Sequence, residues 1–211
     1  MNRLRLRLLA LFALAFGLGA TAHAQTGPQQ VVFATSLGDI TVELDNEHAP
    51  KTVANFIQYV KAGHYDGTVF HRVINNFMIQ GGGFTQEMKE KQTRPPIPLE
   101  SSNGLENKRG TIAMARTNDP NSATAQFFIN VNDNDFLNYK KFAKDTMVDT
   151  RGGPRLVPAG TVIDGYAVFG KVVAGMDVVD KIRAVQTGVR NGMQDVPSQP
   201  VIIKNAKLVT K

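Results

Sequence analysis

Residues 69–84, VFHRVINNFMIQGGGF, limit what this chain can fold into more than any other part of its 211-residue sequence. The apolar runs on either side of two asparagines predict a pair of buried strands. Arg72 interrupts the first run, although arginine is almost never fully buried without a partner and the stretch contains no Asp or Glu. Arg72 therefore lies at the mouth of an apolar surface or faces a ligand. The simpler alternative is that Arg72 occupies a solvent-facing position of the strand. If the two strands are antiparallel neighbours, Gln80 converges with Arg72 on one pocket.

Three glycines, residues 81–83, lie near the end of this stretch. They lack the GKS or GKT ending and the spacing of a nucleotide-binding loop, so we reject a phosphate cradle. Consecutive glycines instead predict a β-bulge or a tight bend in the second strand.

Short β-rich runs continue through the rest of the chain. They predict a hairpin over 31–35 and 40–44, and further strands at 111–115, 126–131, 166–173 and 201–209. Two segments have a helical period instead. The first begins at Pro50, ends at Gly63 and carries an apolar stripe of Val53, Phe56, Ile57 and Val60. The second follows Gly175 with Val178, Ile182 and Val185. Many short strands with two helices predict a mainly β fold, a closed antiparallel β-barrel.

Two longer segments connect these elements. Residues 85–109 are polar and contain three prolines, which predicts a long loop. Residues 138–165 are rich in Lys, Gly and Pro and have no periodicity, so they predict an excursion from the barrel.

The first 24 residues predict a secretory signal peptide that is not part of the fold. Three arginines precede an apolar run over residues 8–20, and Ala22-His23-Ala24 is a small-x-small cleavage site. This apolar run is too short for a transmembrane anchor, which needs about 20 residues. We therefore expect a periplasmic protein that is not held in the membrane after cleavage.

Cleavage at that site leaves Gln25 at the new N-terminus, a loose leader over 25–30 and one domain over 31–211. The net charge of +6 falls to +3 because three arginines leave with the signal peptide. No basic run with interleaved aromatic residues is present, so we expect no nucleic-acid partner. The chain has no Cys, which excludes disulfides and lipoprotein attachment and leaves the core to hold the fold alone.

Four ordered motifs resemble those of the cyclophilins, the peptidyl-prolyl cis-trans isomerases. They are APKTVANF at 49–56, FHRVINNFMIQGG at 70–82, GTIAMA at 110–115 with AQFFI at 125–129, and FGKV at 169–172 with GMD at 175–177. The resemblance covers nearly all of residues 31–210 and is greatest to the bacterial exported branch.

The resemblance implies an eight-stranded barrel with a helix at each end. It also implies an enzyme that accelerates rotation about X-Pro bonds in unfolded or partly folded polypeptides. Because this reaction breaks no lasting bond, it needs no nucleophile, metal or cofactor. We expect a monomer whose partners are proline-containing chains.

Site residues follow from the same resemblance, position by position. Arg72 is the donor to the prolyl nitrogen, and Gln80 holds the substrate backbone and orients this arginine. Gln126 is a second substrate-binding amide, and Ala115 and Arg116 form the edge whose backbone pairs with the peptide. The apolar slot for the proline ring consists of Phe77, Met78, Phe128 and Leu137. Because Phe127 and Phe128 are adjacent on one strand, only one of them can face this slot.

Three residues depart from the common family pattern at the rim of the slot. Phe136 replaces a Trp that grips the drug cyclosporin, Tyr166 replaces a His, and Arg116 replaces an Asn. Two of these changes keep the slot aromatic, so we expect activity to persist. The loss of the indole N–H donor predicts weak inhibition by cyclosporin.

Two other classes of function are alternatives. A non-catalytic module of the same fold would hold proline-containing chains without isomerising them, but the chain retains Arg72. A hydrolase or metalloenzyme would need a suitable cluster, and His48, His64 and His71 occur without Cys or an HExxH-like pair. No nucleophile-elbow pattern is present, and we expect His71 to be a structural strand residue.

Overall fold

The computed structural model describes residues 29–150 and 152–209. The predicted signal peptide and its cleavage site lie outside these residues. In the described part of the chain, no helix is both long and apolar enough to cross a bilayer. The elements in chain order are β1 (Gln30–Thr35), β2 (Gly38–Leu44), α1 (Pro50–Lys61), β3 (Thr68–Ile74), β4 (Met78–Thr85), β5 (Thr111–Met114), β6 (Phe127–Asn130), β7 (Lys140–Lys141), β8 (Thr146–Thr150), β9 (Gly153–Val157), β10 (Val162–Ile163), β11 (Val168–Ala174), α2 (Met176–Arg183), β12 (Thr187–Arg190), β13 (Met193–Pro197) and β14 (Ile202–Val209).

Eight of these strands close into an antiparallel barrel in the order β1-β14-β3-β4-β6-β5-β11-β2. This architecture confirms the predicted mainly β fold. The barrel begins one residue earlier than expected, because Gln30, assigned to the loose leader, pairs with both Glu43 and Val209.

The barrel interior is filled by the inward-facing half of each strand and by the apolar stripes of both helices. Phe33 and Phe127 stack with ring centroids 5.0 Å apart, and Phe56 of α1 lies 5.0 Å from Phe169. The whole predicted stripe of α1 is buried, as the helical period required. The predicted stripe of α2 is shorter than expected, since the helix ends at Arg183 and Val185 packs on the core from the loop beyond it.

The predicted excursion over 138–165 leaves the barrel but is not irregular. Strands β7 and β10 pair at its base, and β8 and β9 pair beyond them as an antiparallel ribbon. Met147 and Leu156 face each other across that ribbon and are both exposed. Backbone pairing forms these strands without burying one face. Such strands carry no alternating pattern, and the sequence therefore lacks the periodicity that predicts a strand.

A second hairpin, β12–β13, was not predicted. Its turn is Asn191-Gly192, and both residues have positive φ, as a two-residue type I′ hairpin requires. An Asn-Gly pair between two short runs is a recognised hairpin signal, so the sequence did contain the information. This hairpin lies against β3 on the outside of the barrel.

Candidate active site

A β-bulge in β3 determines which side of the barrel Arg72 faces. Phe70 and Val73 both lie in the interior core, although regular alternation would place residues three apart on opposite faces. The pairing of Phe70 with Gly81 is followed by that of Arg72 with Gln80, so β3 contains one extra residue between these pairs. The bulge turns both His71 and Arg72 outward.

The glycines of β4 allow a second irregularity opposite this one. Gly82 has φ of +85°, and the register between β3 and β4 shifts on both sides of Phe70. A Cβ atom at Gly82 would lie 2.8 Å from the ring of Tyr65. The predicted bulge in the glycine run is therefore confirmed, and both positive φ and lack of space require glycine at residue 82.

A row of paired residues crosses the outer face of the barrel from β3 to β11. Arg72 pairs with Gln80, Gln80 with Phe128, Phe128 with Ala113, and Ala113 with Val168. Directly opposite residues have Cβ atoms about 4.5–5.5 Å apart, so each is in contact range of the next. The row begins at the cation, continues through an amide and ends on apolar side chains.

The apolar end of this row belongs to a separate cluster outside the barrel. Its members are Met78, Ala113, Phe128, Leu137 and Val168, with Ile74, Phe77, Leu105, Ala115 and Tyr166 at its edge. The structure thus brings the four predicted slot residues together. Phe127 lies in the interior core and Phe128 in the outer cluster, which confirms that the two face opposite ways. Ala113 and Val168 form part of the floor and were missed, although Ala113 is two residues before Ala115 on the same strand face.

The two predicted amide residues bind to each other beside the slot. Gln80 Nε2 donates to Gln126 Oε1 at 3.0 Å. Gln126 packs directly on Gly83, where a Cβ atom would lie 2.6 Å from the Gln126 side chain. Within the described residues Gln80 makes no hydrogen bond to Arg72, so the predicted orienting contact between these two side chains is not formed here.

The rim of the slot is held by Arg116. Its Nε and Nη2 atoms donate to the carbonyl oxygen of Gly165 at 3.0 and 2.8 Å, and Nη1 donates to that of Thr117. The guanidinium lies 4.6 Å from the ring centroid of Tyr166, which packs edge-on against Phe128 at 5.6 Å. Arg116 therefore connects the strand edge to the returning end of the excursion, and its donors bind the protein itself.

Phe136 lies at the opposite rim on a short 3-10 turn. Its ring stacks on Phe77 with centroids 5.5 Å apart, and its exposed fraction is 65%. Three buried asparagines hold this turn. Asn134 Nδ2 donates to the carbonyl oxygen of Phe77, and Asn107 Nδ2 donates to that of Leu137. The side chain of Asn130 is hydrogen-bonded to both Asn107 and Asn134. This network was not predicted, because buried asparagines have no periodic signature in the sequence.

Arg72 has an acidic neighbour that its own strand pair could not provide. Asp195, on the β12–β13 hairpin, places Oδ2 3.8 Å from Arg72 Nε. The two side chains are 43% and 39% exposed, so this is a contact at the surface rather than a buried ion pair.

His71, the other residue turned outward by the bulge, is only 5% exposed. Its ring packs 4.6 Å from that of Phe84, and its Nδ1 atom has no hydrogen-bond partner in the described part of the chain. Burial lowers the pKa of His71 to about 4, and the adjacent Arg72 cation acts in the same direction. His71 is therefore a neutral packing residue at physiological pH.

Residues 30–208 match the family described as cyclophilin type peptidyl-prolyl cis-trans isomerase/CLD. This chain belongs to that family. Membership confirms the isomerase class predicted from the sequence motifs. The matched range includes the eight barrel strands, except Val209 at the end of β14, and all the site residues described above.

Several bacterial peptidyl-prolyl cis-trans isomerases are similar to this chain along most of their length. The cyp18 isomerase of Streptomyces antibioticus is 56% identical, over 83% of this chain and 95% of its own length. Peptidyl-prolyl cis-trans isomerase A of Dickeya dadantii is 47% identical, over 97% of this chain and 98% of its own. Peptidyl-prolyl cis-trans isomerase B of Escherichia coli is 53% identical, over 83% and 96%.

A solved structure supports the fold assignment. The Cryptosporidium parvum cyclophilin type isomerase superposes with a TM-score of 0.65 at 23% identity, covering 88% of this chain and 99% of its own. A second structure of that protein was determined in the presence of the dipeptide Ala-Pro and has a TM-score of 0.64.

Proposed function

We propose that this cyclophilin accelerates rotation about X-Pro bonds in exported polypeptides, with Arg72 stabilising the twisted amide beside the apolar slot. The observation that carries the proposal is the cross-strand row from Arg72 through Gln80 and Phe128 to Val168. In this row the half-exposed guanidinium of Arg72 lies beside an apolar surface that suits a proline ring.

The reaction requires little beyond such a surface. The barrier of about 18–20 kcal/mol arises because twisting the C–N bond removes amide resonance. The prolyl nitrogen becomes pyramidal in the twisted state and gains a lone pair. A donor held near that position stabilises the twisted amide more than either planar form, and this difference in binding is catalysis.

Each part of the site has a role in this scheme. The outer apolar cluster holds the proline ring, and the guanidinium of Arg72 meets the twisted amide. Gln80 and Gln126 present amide groups to the substrate backbone. Arg116 acts on the slot by fixing Tyr166 and Gly165, with its side-chain donors already engaged. The Ala-Pro dipeptide used with the Cryptosporidium parvum protein supports a proline-containing ligand for this surface.

A protease-coupled isomerisation assay tests the proposal directly. The chain from Gln25 onward is expected to accelerate cis-to-trans conversion of an X-Pro peptide far above the uncatalysed rate, which takes tens to hundreds of seconds. A chain that binds the peptide but leaves the rate unchanged would instead be the non-catalytic proline-binding module.

Export is part of this proposal, and it rests on the signal peptide predicted for the first 24 residues. We expect the exported protein to begin at Gln25 and to fractionate with the periplasm. N-terminal sequencing of the protein recovered from each fraction checks this, with the Ala24→Leu variant, whose bulky side chain blocks the cleavage site, as a control. Recovery of a chain that keeps residues 8–20 would contradict it.

Cyclosporin is expected to inhibit weakly, because Phe136 has no N–H donor for the drug. One hydrogen bond contributes about 0.5–1.5 kcal/mol, so Phe136→Trp should tighten inhibition by about threefold to tenfold. Turnover should change less, since the floor of the slot is unaltered. Leu156→Trp places an indole on the exposed ribbon and should leave inhibition as in the wild type. Equal inhibition of the wild type and Phe136→Trp would show that Phe136 does not occupy the drug-binding rim.

A further inference from the structure

The hairpin that carries Asp195 is anchored beside the active site by its own apolar cluster. Val196 is buried with Val69 and Met88 on the outer face of the barrel, and Met193 packs at the edge of this cluster. Val69 is on β3, three residues before Arg72. The anchor therefore holds β13 against the strand that carries the proposed catalytic donor.

A bulge in β13 turns Asp195 toward this strand. Arg190 pairs with Met193 and Gly188 pairs with Val196, so β13 contains one extra residue between the two pairs. Asp195 is in this bulge and has φ of +60°, a left-handed conformation that Asp and Asn tolerate better than most residues. Bulges commonly redirect a side chain near an active site. Here the bulge of β13 faces the bulge of β3 that exposes Arg72.

The carboxylate meets one edge of the guanidinium. Asp195 Oδ2 lies 3.8 Å from Nε, and among the described residues Arg72 has no other polar side-chain partner. Contact at Nε leaves the two terminal nitrogens of the guanidinium available to a substrate. A long arginine side chain has many rotamers, and an unrestrained donor would have to lose this conformational freedom during catalysis.

We propose that Asp195 is a positioning residue that restrains Arg72 before substrate arrives. The proposal rests on the function proposed above. Asp195 touches neither the slot nor the prolyl nitrogen. It reduces the reorganisation that Arg72 must undergo to meet the twisted amide, and such preorganisation is the source of electrostatic catalysis.

A double-mutant cycle with Asp195→Asn and Arg72→Ala tests the coupling. Asn keeps the size of the side chain and tolerates the left-handed conformation, so the hairpin should persist. Exposed ion pairs contribute up to about 1 kcal/mol, so Asp195→Asn should lower kcat about two- to fivefold with little change in KM. In the Arg72→Ala background the same substitution should have no effect. An equal loss in both backgrounds would assign Asp195 a structural role, and no loss in the wild-type background would also overturn the proposal.

Salt provides a second kinetic readout. Salt screens surface ion pairs, so the ratio of kcat between the wild type and Asp195→Asn should shrink as sodium chloride rises from roughly 20 to 500 mM. Over this range the Debye length falls from roughly 20 Å to about 4 Å. The matched control is Asp177→Asn, which removes another exposed carboxylate, one that pairs with Lys181 on α2. It should leave both kcat and its salt dependence unchanged. A difference between wild type and Asp195→Asn that is independent of salt would contradict the ion pair.

The mobility of the Arg72 side chain can be measured without any reaction. The ¹⁵N order parameter of the Arg72 Nε–H group should fall in Asp195→Asn and stay unchanged in Asp177→Asn. An unchanged order parameter in Asp195→Asn would overturn the proposal. If the wild type shows no isomerase activity, the proposed function fails, and this measurement still decides whether Asp195 restrains Arg72.

Discussion

Replacement of Arg72 by alanine is expected to lower kcat/KM for X-Pro isomerisation by about 100-fold while the barrel stays folded. The size follows from the loss of one preorganised donor at the site of developing charge, which costs about 10²–10³-fold in other enzymes. Stability should change little because Arg72 is half-exposed and its one described ionic contact is at the surface. The protease-coupled assay measures the loss, and thermal unfolding checks the fold.

Two further variants make this test specific. Arg72→Lys should recover little activity, because a flexible ammonium does not reproduce the rigid fork of a guanidinium. Arg94→Ala removes another exposed arginine, one whose side chain contacts Tyr59 and Gln58 of α1 rather than a slot residue, and should leave turnover unchanged. Near wild-type turnover in a folded Arg72→Ala protein would remove Arg72 from the mechanism.

Acidification is expected to destabilise the protein through His71, the neighbour of Arg72 in the same bulge. Its folded-state pKa of about 4 lies below the ordinary value of 6.5, because burial penalises the charged imidazolium. Between these values the unfolded chain binds more protons than the folded one, so stability rises with pH in that window. The stabilisation is fully present above pH 6.5 and is lost as pH falls toward 4. The loss from pH 7 to pH 4 is about 3 kcal/mol.

Urea unfolding of the wild type and His71→Leu at a series of pH values isolates this contribution. All other groups titrate alike in the two proteins. The difference in unfolding free energy between the wild type and His71→Leu should therefore change by about 3 kcal/mol between pH 7 and pH 4. His71→Gln also lacks a titrating group and should show the same pH dependence as His71→Leu. It provides a second comparison in case leucine packs poorly beside Phe84. Parallel curves for wild type and both variants would contradict the low pKa of His71.

The exposed His48 provides a control of opposite sign. Its hydrogen bond to Asp45 raises the pKa of His48, so its small contribution to stability is present at low pH and is lost as pH rises through the raised pKa. His48→Gln should therefore not reproduce the change expected of His71→Leu.

The sequence determined the elements whose patterns are local. The apolar stripe of α1 and the hairpin of β1 and β2 appear where the local sequence predicted them, because burial of one helix face imposes a helical period and β-rich runs favour strands. Residues 69–84 predicted that Arg72 and Gln80 converge if their strands are antiparallel neighbours, and the two residues are directly paired. The four ordered motifs predicted the family. The second and third contain residues that the barrel places at the site, whereas the first and fourth contribute Phe56 and Phe169 to the interior core.

The neighbours of Arg72 were decided by the tertiary structure. Its outward direction depends on a bulge in β3, and a bulge is defined by the register of two strands rather than by either sequence alone. Asp195 comes from a hairpin distant in the chain, which an apolar cluster holds against β3. Arg116, predicted to present its backbone to substrate, uses its side chain to hold Tyr166 and Gly165. These contacts join segments whose sequences carry no sign of one another, because strand pairing in the barrel and packing on its outer face bring them within reach.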